Sequence, residues 1–443
     1  MLDIRYNMNK LLTQTCLFAF VLLSVLTARA QTLSCEQAQV IAETIFAENS
    51  RTARSQSSVL AFRWDSRQLS PVMAVAEEAT PTFYAFSAET NEGFVIVSSD
   101  ANNPCILGYS FDTPLPDVQN IPDGMRDFLE SYDKTLVRAP QALAKYDYNA
   151  ATMGDVKVNL NTAPWGQRAP YNKFCFTSKG ASAATGCVPT AYSILMHYHQ
   201  WPVTAVEKNV YHSGTGEKIT LGHKYDWANM AHTYSGNYTQ TQADAVATLM
   251  RDVGYAYGVV YGTSGTESGG GGEGASKLID IFKYKSETPN TTSATMATVR
   301  DVLGNDGLWK QYIRESLDAG LPIPYSSTTS SAGKGRHIYI LDGYTDNEYF
   351  HFNWGWNGQG NGWFLLNDMT PDTSSDYSKS HRAYFMLMPD KGEDIVHIPE
   401  APLESGAATI HNAASLFDAC GRKVEQVTSP GIYIINGKKV WVR

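Results

Sequence analysis

The sequence predicts an α+β fold distributed over two or three units. A chain of 443 residues is too long for one ordinary domain. A helical pattern follows Cys187, and β-rich runs occur at residues 337–344 and 349–354. With 43% hydrophobic and 12% aromatic residues, the chain can build a substantial core.

The most clearly predicted element is a helix that begins next to Cys187. Pro189 suits a first helical turn, where a backbone N–H is not needed. Pro202 ends the helix, because the residue before a proline is pushed out of α geometry. One buried face is predicted from the i, i+3, i+4, i+7 spacing of four residues, Ala191, Ile194, Leu195 and Tyr198.

Cys187 is a candidate nucleophile because it lies just ahead of this helix N-terminus, on a turn that Gly186 can shape. Unsatisfied backbone N–H groups and the positive end of the helix dipole favour a thiolate there. A thiolate is the reactive form of cysteine. A small buried hydrophobic residue would suit the same position, and this stretch alone leaves both interpretations open.

Charge and cysteine spacing exclude several kinds of partner and site. The net charge of −9 gives no electrostatic reason to expect nucleic acid as a partner. The six cysteines, at 16, 35, 105, 175, 187 and 420, include no CxxC pair, so neither a zinc framework nor a dense disulfide scaffold is predicted. Cys35 and Cys105 are either disulfide partners or two thiols.

Residues 1–30 have the features of a secretory signal peptide. Arg5 and Lys10 precede an apolar run at 17–26, and small residues at 28 and 30 favour cleavage before Gln31. The run is too short for a comfortable membrane span. The sequence therefore predicts an exported protein with no membrane span in its mature chain.

Residues 31–150 are predicted to form a separate unit. It contains helical patterns at 36–49 and 123–137, and strand-like runs at 82–87 and 93–98. Basic residues, Pro140 and small polar residues at 138–149 are typical of an exposed linker that proteases can cut. We find no nucleophile–base pair in this unit.

Gln167 lies twenty residues before Cys187, in a loop rich in proline. A glutamine amide donates hydrogen bonds without charge, as an oxyanion beside a thiolate requires, although a glutamine in such a loop is more often simply solvated.

Helical patterns follow at 242–250 and 309–318, with a glycine-rich loop between them at 268–274. This loop lacks the Lys-Ser/Thr of a phosphate-binding loop, and we interpret it as a mobile loop bordering a cleft.

His337, at the start of a β-rich run, and Asn353, on the next run, complete the chain order Cys, His, Asn. In this order a histidine can take the thiol proton while the asparagine holds the imidazole in one tautomer. A lone histidine is more often structural, and the chain has nine others to choose from. His197 and His199, on the helix of Cys187, are interpreted as structural.

Together these residues resemble the streptopain-like cysteine peptidases of the papain clan. The resemblance covers the signal peptide, the pro-unit and the catalytic unit. In the catalytic unit it is carried, in order, by Trp165-Gly166-Gln167 with Pro170-Tyr171-Asn172, Thr185-Gly186-Cys187 with Tyr198-His199-Gln200-Trp201-Pro202, Tyr225-Asp226-Trp227, His337 with Asp342-Gly343-Tyr344, and Asn353-Trp354-Gly355-Trp356. In the pro-unit it is carried by Gly93-Phe94-Val95-Ile96-Val97-Ser98 and Ile106-Leu107-Gly108-Tyr109.

The resemblance implies a papain-like catalytic domain of two subdomains at 151–390, in which the nucleophile helix packs against a β-sheet unit carrying the histidine. It implies an α+β inhibitory propeptide at 31–150, which acts as an intramolecular inhibitor. The precursor would mature by proteolysis into an endopeptidase acting on proteins or peptides. No metal or cofactor is expected.

The resemblance also implies a role for each site residue. Cys187 would be the nucleophile and His337 the base, and Gln167 would join the backbone N–H of Cys187 in the oxyanion hole. The residues expected to position the histidine are Asn353 and Trp354. Those expected at the substrate cleft are Gly269, Gly270 and Arg336.

Arg336 departs from the glycine that the family usually has before the histidine. It either faces solvent, as strand alternation suggests, or flanks the scissile bond if a bulge breaks that alternation.

Residues 391–443 are predicted to form a linker and a small β tail, with short strands within 416–424 and 431–443. The ending resembles C-terminal sorting tails of type IX secretion, and the alternative is a β appendage without special purpose. Two other functions stay open for the whole chain: a transglutaminase-like acyl transferase, and a non-catalytic surface binding protein on the same fold.

Overall fold

The computed structural model describes residues 32–49, 60–69, 80–88, 92–100, 105–136, 153–263, 265–267, 274–286, 297–299, 306–327, 337–366, 381–391, 396–397, 416–418, 431–435 and 438–442. The predicted signal peptide, the linker at 138–149, Gly269, Gly270 and Arg336 lie outside these residues. By contacts the chain divides into two compact units. Unit 1 comprises Met1–Ile121 and Leu129–Thr152, and unit 2 comprises Pro122–Phe128 and Met153–Arg443.

Unit 1 is an antiparallel sheet with a helix against it. Its strands pair in chain order: β1 (Leu60–Asp65), β2 (Phe83–Ala88), β3 (Phe94–Ser98) and β4 (Ile106–Ser110). The helix α1 (Cys35–Asn49) packs on this sheet through Ala38, Ala42, Ile45 and Phe46. The predicted helix at 36–49 and the two predicted strands are therefore present, whereas β1 and β4 were not predicted.

The next helix, α2, spans Asp123–Leu136. Its residues as far as Phe128 are grouped with unit 2, and those from Leu129 with unit 1.

The main sheet of unit 2 is built around one long strand, β11 (His337–Thr345). On one side lies β12 (Tyr349–Asn353), followed by β13 (Gly362–Leu365). On the other side β11 pairs with β10 (Ile323–Ser327) along its first half and with β5 (Val156–Asn159) along its second. Beyond β10 the order continues with β14 (Arg382–Tyr384) and β9 (Ala297–Val299), all neighbours being antiparallel.

Helix α3 (Cys187–His199) is the central helix of unit 2 and packs on both β11 and helix α4 (Gln240–Tyr257). Every residue from Val188 to Met196 is buried, so the single buried face predicted from the sequence is too narrow. The reason is that α3 is covered by the sheet and by α4. Tyr198, the last residue of the predicted face, is only half-buried. Unit 2 also contains the helices α5 (Ser276–Asp280) and α6 (Asp306–Asp318).

Among the described residues, unit 2 contains three smaller sheets. Two are pairs: β6 (Asn209–Tyr211) with β7 (Lys218–Thr220), and β8 (Tyr284–Ser286) with β15 (Leu387–Pro389). The third lies in the predicted tail and has the order β16 (Val396–His397), β19 (Lys438–Val442), β18 (Gly431–Ile435), β17 (Leu416–Asp418). Within the described ranges, no helix is long and apolar enough to cross a membrane.

Candidate active site

Cys187 is the first residue of α3, and the turn before it requires a glycine. Gly186 has a φ of +90°, which L side chains rarely adopt, and a Cβ there would lie 2.9 Å from Cγ2 of Thr266. Thr190 closes the turn, because its N–H and its Oγ1 both donate to the carbonyl oxygen of Gly186, at 3.3 and 2.7 Å. The half-buried Cys187 thus lies at a helix N-terminus, where a thiolate is favoured.

Gln167 lies on a segment that is hydrogen-bonded to this turn. The N–H of Thr185 donates to the carbonyl oxygen of Gln167 at 3.0 Å, which ties Gln167 to the residue two positions before Cys187. The buried Trp165 anchors the same segment, since its Nε1 donates to the carbonyl oxygen of Ala231 at 3.0 Å. The structure therefore brings the predicted oxyanion donor and the predicted nucleophile onto adjoining segments.

Gly166 packs tightly against the loop that follows β12. A Cβ on Gly166 would lie 2.6 Å from Oδ1 of Asn357. The N–H of Asn357 also donates to the carbonyl oxygen of Trp165 at 3.2 Å. These contacts join the segment of Gln167 to the loop that begins after Asn353.

His337, the first residue of β11, is directed to the sheet face that α3 does not cover. Strand side chains alternate between faces. Ile338 and Ile340 belong to the core cluster that contains the apolar residues of α3. Tyr339, which shares the face of His337, instead packs against Trp354, with ring centroids 4.6 Å apart.

On this face His337 meets Asp127, near the start of α2. Nε2 of His337 lies 3.6 Å from Oδ2 of Asp127, which is within ion-pair range but too long for a hydrogen bond. The Asp127 side chain is 2% exposed and that of His337 is 23% exposed. Gly124 is close as well, because a Cβ there would lie 3.6 Å from Cβ of His337.

Asn353 and Trp354, the two residues predicted to position the histidine, lie on opposite faces of the sheet. Asn353 pairs with Ile340 and so shares the face that α3 covers. Its Nδ2 donates to Oγ1 of Thr162 and to the carbonyl oxygen of Ala163, both at 2.9 Å, and its Oδ1 accepts from Gly355 at 3.2 Å. Trp354 is buried, and its Nε1 donates to the carbonyl oxygen of Gly360 at 2.8 Å.

Other histidines and cysteines of the chain have structural contacts or are buried. Nε2 of His197 lies 3.1 Å from the carbonyl oxygen of Met230, and burial lowers the pKa of this imidazole. Nδ1 of His199 lies 3.1 Å from the hydroxyl of Tyr284. Burial raises the pKa values of the Cys105 and Cys175 thiols, each to about 12. Cys105 and Cys35 are thiols rather than disulfide partners, which settles the alternative that the sequence left open.

In the ranges that the structure covers, no group of three or more His, Cys, Asp or Glu side chains is arranged to hold a metal ion.

Sequence reasoning missed Asp127 and Thr162, which contact His337 and Asn353, and it missed the role of Asp342, which contacts Thr162. Asp342 carries a signal, because it is an acidic residue that directly follows four apolar, buried residues of its strand, at 338–341. Asp127 and Thr162 carry none, since each contacts partners that lie far along the chain.

Two regions of the chain match two families. Residues 165–364 match the Peptidase C10 family, and residues 30–136 match the Spi protease inhibitor family. The chain is 27% identical to the thiol protease/hemagglutinin PrtT of Porphyromonas gingivalis over 379 residues, which cover 79% of this chain and 40% of PrtT. It is 28% identical to streptopain of Streptococcus pyogenes over 332 residues, which cover 69% of this chain and 78% of streptopain. The chain thus spans less than half the length of PrtT.

The structure is similar to that of a fragment of prointerpain A from Prevotella intermedia, with a TM-score of 0.55 at 26% sequence identity. The match covers 73% of this chain and 97% of that fragment. It confirms the predicted fold class, a papain-like α+β peptidase fold that follows an α+β inhibitor domain in the sequence. Over residues 165–364 the chain is therefore similar to cysteine peptidases of the Peptidase C10 family, and over residues 30–136 to protease inhibitors of the Spi type.

Proposed function

We propose that the chain is the inactive precursor of an exported cysteine endopeptidase, with residues 31–150 as its inhibitory propeptide. The observation that supports the proposal is the hydrogen bond from the N–H of Thr185 to the backbone carbonyl oxygen of Gln167, which ties the segment of Gln167 to the turn before Cys187. A cysteine at a helix N-terminus with an amide close by can attack a carbonyl group and stabilise the resulting oxyanion. The Peptidase C10 match supports a peptide bond as the group attacked.

In the proposed reaction, Sγ of Cys187 attacks the carbonyl carbon of the scissile bond after His337 has taken the thiol proton. The amide of Gln167 and the backbone N–H of Cys187 stabilise the oxyanion. His337 returns the proton to the leaving amine as the C–N bond breaks, which leaves an acyl-enzyme. A water molecule that gives a proton to His337 then hydrolyses the thioester and regenerates the thiol.

Asn353 and Trp354 would position the imidazole in the active enzyme. Oδ1 of Asn353 would accept a hydrogen bond from the ring of His337 and so stabilise the imidazolium. Trp354, on the opposite face, would support the end of the strand through its contact with Tyr339. His337 must first turn toward the face of α3.

The contact with Asp127 offers a physical cause for latency. A nearly buried carboxylate attracts the imidazole toward the sheet face that lies away from α3. Cleavage between residues 138 and 149 would release the segment that carries Asp127, and His337 could then turn toward Cys187. Export by the signal peptide at 1–30 and sorting by the tail at 391–443 complete the proposal.

The test is to incubate the purified precursor and to follow its mass and N-terminus over time. The wild-type chain should lose its propeptide at a site within 138–149 and then cleave peptides. Cys187→Ala should stay at full length. Cys35→Ala is the matched control and should mature as the wild type does, because this half-buried thiol lies in the propeptide. Trimming of Cys187→Ala at the wild-type rate would show that Cys187 is not the nucleophile.

Two rival functions can each be separated from the peptidase by one experiment. A transglutaminase-like acyl transferase would join a peptide to an added amine, whereas a peptidase gives cleavage with new free termini. A non-catalytic binding protein would leave Cys187 unlabelled by a thiol-directed peptide electrophile.

A further inference from the structure

We propose that Asp342 is a positioning residue for the reaction: through Thr162 it fixes the direction of the Asn353 amide and keeps an oxygen atom available for His337. The proposal rests on the Cys–His chemistry proposed above. It assigns a role to a buried carboxylate that does not itself touch the reacting atoms.

The carboxylate of Asp342 is enclosed by hydrogen-bond donors. It is 1% exposed, on a strand whose neighbouring side chains are apolar. Oδ2 accepts from the N–H of Thr162 at 3.0 Å and from its Oγ1 at 2.5 Å, and Oδ1 accepts from Nδ1 of His351 at 2.5 Å. Because a carboxylate can only accept, the direction of all three bonds is settled.

The hydroxyl of Thr162 determines which end of the Asn353 amide faces it. A hydroxyl has one hydrogen, and here Asp342 takes it. Oγ1 of Thr162 therefore offers only lone pairs to the amide 2.9 Å away, and the amide must place its nitrogen there. The second hydrogen of this nitrogen goes to the carbonyl oxygen of Ala163 at 2.9 Å.

With Nδ2 held by two acceptors, Oδ1 of Asn353 points the other way and accepts from the N–H of Gly355. A flipped amide would set Oδ1 against two acceptors, the lone pairs of Thr162 and the carbonyl oxygen of Ala163. Such a contact between acceptors is repulsive in a buried site. Asp342 thus excludes the flipped amide without touching it.

The direction of this amide matters because an imidazolium can only donate hydrogen bonds. Oδ1 of Asn353 stabilises the charged form of His337, whereas Nδ2 in its place would destabilise it. Asp127, the carboxylate facing His337 in the precursor, leaves with the propeptide and does not act on the mature enzyme. The network should therefore set the pH range over which the thiolate–imidazolium pair exists.

Three substitutions test the network, and a fourth serves as the control. Asp342→Asn supplies a donor to Thr162, so that the threonine hydroxyl can point to Asn353 and allow the flip. Thr162→Val removes the hydroxyl at nearly constant volume, and Thr162→Ser keeps it. His351→Gln is the matched control, because it disturbs the other oxygen of Asp342 without touching Thr162. Each variant is expressed as the full precursor and matured with a trace of wild-type enzyme where it does not mature alone.

The readouts are kcat and KM across pH, and the pH dependence of Cys187 alkylation by iodoacetamide. In Asp342→Asn and Thr162→Val, kcat should fall roughly tenfold at unchanged KM, the factor that corresponds to one pKa unit. The alkaline limb of the kcat profile, where the imidazolium loses its proton, should move down by about one pH unit. Iodoacetamide still reacts with the thiolate above this limb, so its rate should change from the ion-pair value to the free-thiolate value about one pH unit lower as well. In Thr162→Ser and His351→Gln the alkaline limb of the kcat profile should stay at its wild-type pH. His351→Gln should nevertheless lower Tm.

A wild-type alkaline limb in Thr162→Val, or an equal shift in His351→Gln, would reduce Asp342 to a structural role. If Asp342→Asn does not fold, the comparison of Thr162→Val with Thr162→Ser still decides whether the network positions Asn353. A wild-type chain without Cys187-dependent cleavage would overturn the proposed function and this inference together. An active wild type with unshifted variants would overturn this inference alone.

Discussion

Nε2 of His337 lies 3.6 Å from Oδ2 of Asp127, on the sheet face that the helix of Cys187 does not cover. Both residues belong to unit 2, although Asp127 lies in the stretch that matches the Spi inhibitor family. A carboxylate of the inhibitor stretch therefore faces the residue predicted to be the general base. Its charge can be removed without a change in size.

We predict that Asp127→Asn makes the precursor mature faster than the wild type. The loss of an ion pair worth about 1 kcal/mol corresponds to roughly a fivefold gain in rate if release of His337 limits maturation. The measurement is the rate of propeptide loss by mass spectrometry. Asp123→Asn, at an exposed position in the first turn of the same helix, is the control for charge and should mature at the wild-type rate. Equal rates for Asp127→Asn and the wild type would contradict the prediction.

We predict that Gly166→Ala impairs the oxyanion hole, because a methyl group there would lie 2.6 Å from Oδ1 of Asn357. Overpacking of this kind costs about 1–3 kcal/mol and would shift the segment of Gln167. Peptidase activity and Tm should both fall. The double variant Gly166→Ala with Asn357→Gly should recover much of the loss. Asn357 has a φ of +55°, which glycine adopts readily. Additive losses in the double variant would argue against the steric explanation.

A third prediction concerns pH and His223, whose Nε2 lies 2.9 Å from Oδ2 of the buried Asp252. This hydrogen bond raises the pKa of His223 above its ordinary value. The resulting stabilisation is present in full below the pKa of the unfolded chain and is lost as pH rises through the folded pKa. His223→Gln should therefore lower Tm at pH 5 and have little effect at pH 9. Because the side chain is 38% exposed, the effect should stay below about 1 kcal/mol. A loss of Tm that is equal at both pH values would contradict the assignment.

Arg336 is the subject of the fourth prediction, as the neighbour of the proposed base in sequence. If it flanks the scissile bond, it favours acidic side chains there by about 1 kcal/mol when partly exposed. Arg336→Gly should then reduce cleavage of a glutamate peptide relative to its matched glutamine peptide, more strongly at low salt than at high salt. An unchanged Glu/Gln ratio would mean that Arg336 faces solvent.

The sequence predicted those parts of the molecule that depend on local signals. The helix Cys187–His199 follows from Pro189, from the spacing of its apolar residues and from the proline that ends it. The strand of His337 follows from its β-rich composition. The face to which His337 points could not be predicted, because it depends on which side of β11 the helix packs. The bond between Thr162 and Asp342 joins residues 180 positions apart, and no local pattern indicates such a pair.

The alternation of β11 restricts how such a peptidase could be switched on. Ile338 and Ile340 anchor the strand to the apolar residues of α3, while Tyr339 anchors it to the aromatic rings on the other side. Rotation of the whole strand would break both sets of contacts. The movement would therefore be confined to the terminal residue, His337. Activation would then amount to a hinge movement at the tip of one strand, with the packing of β11 against α3 kept in both the dormant and the working enzyme.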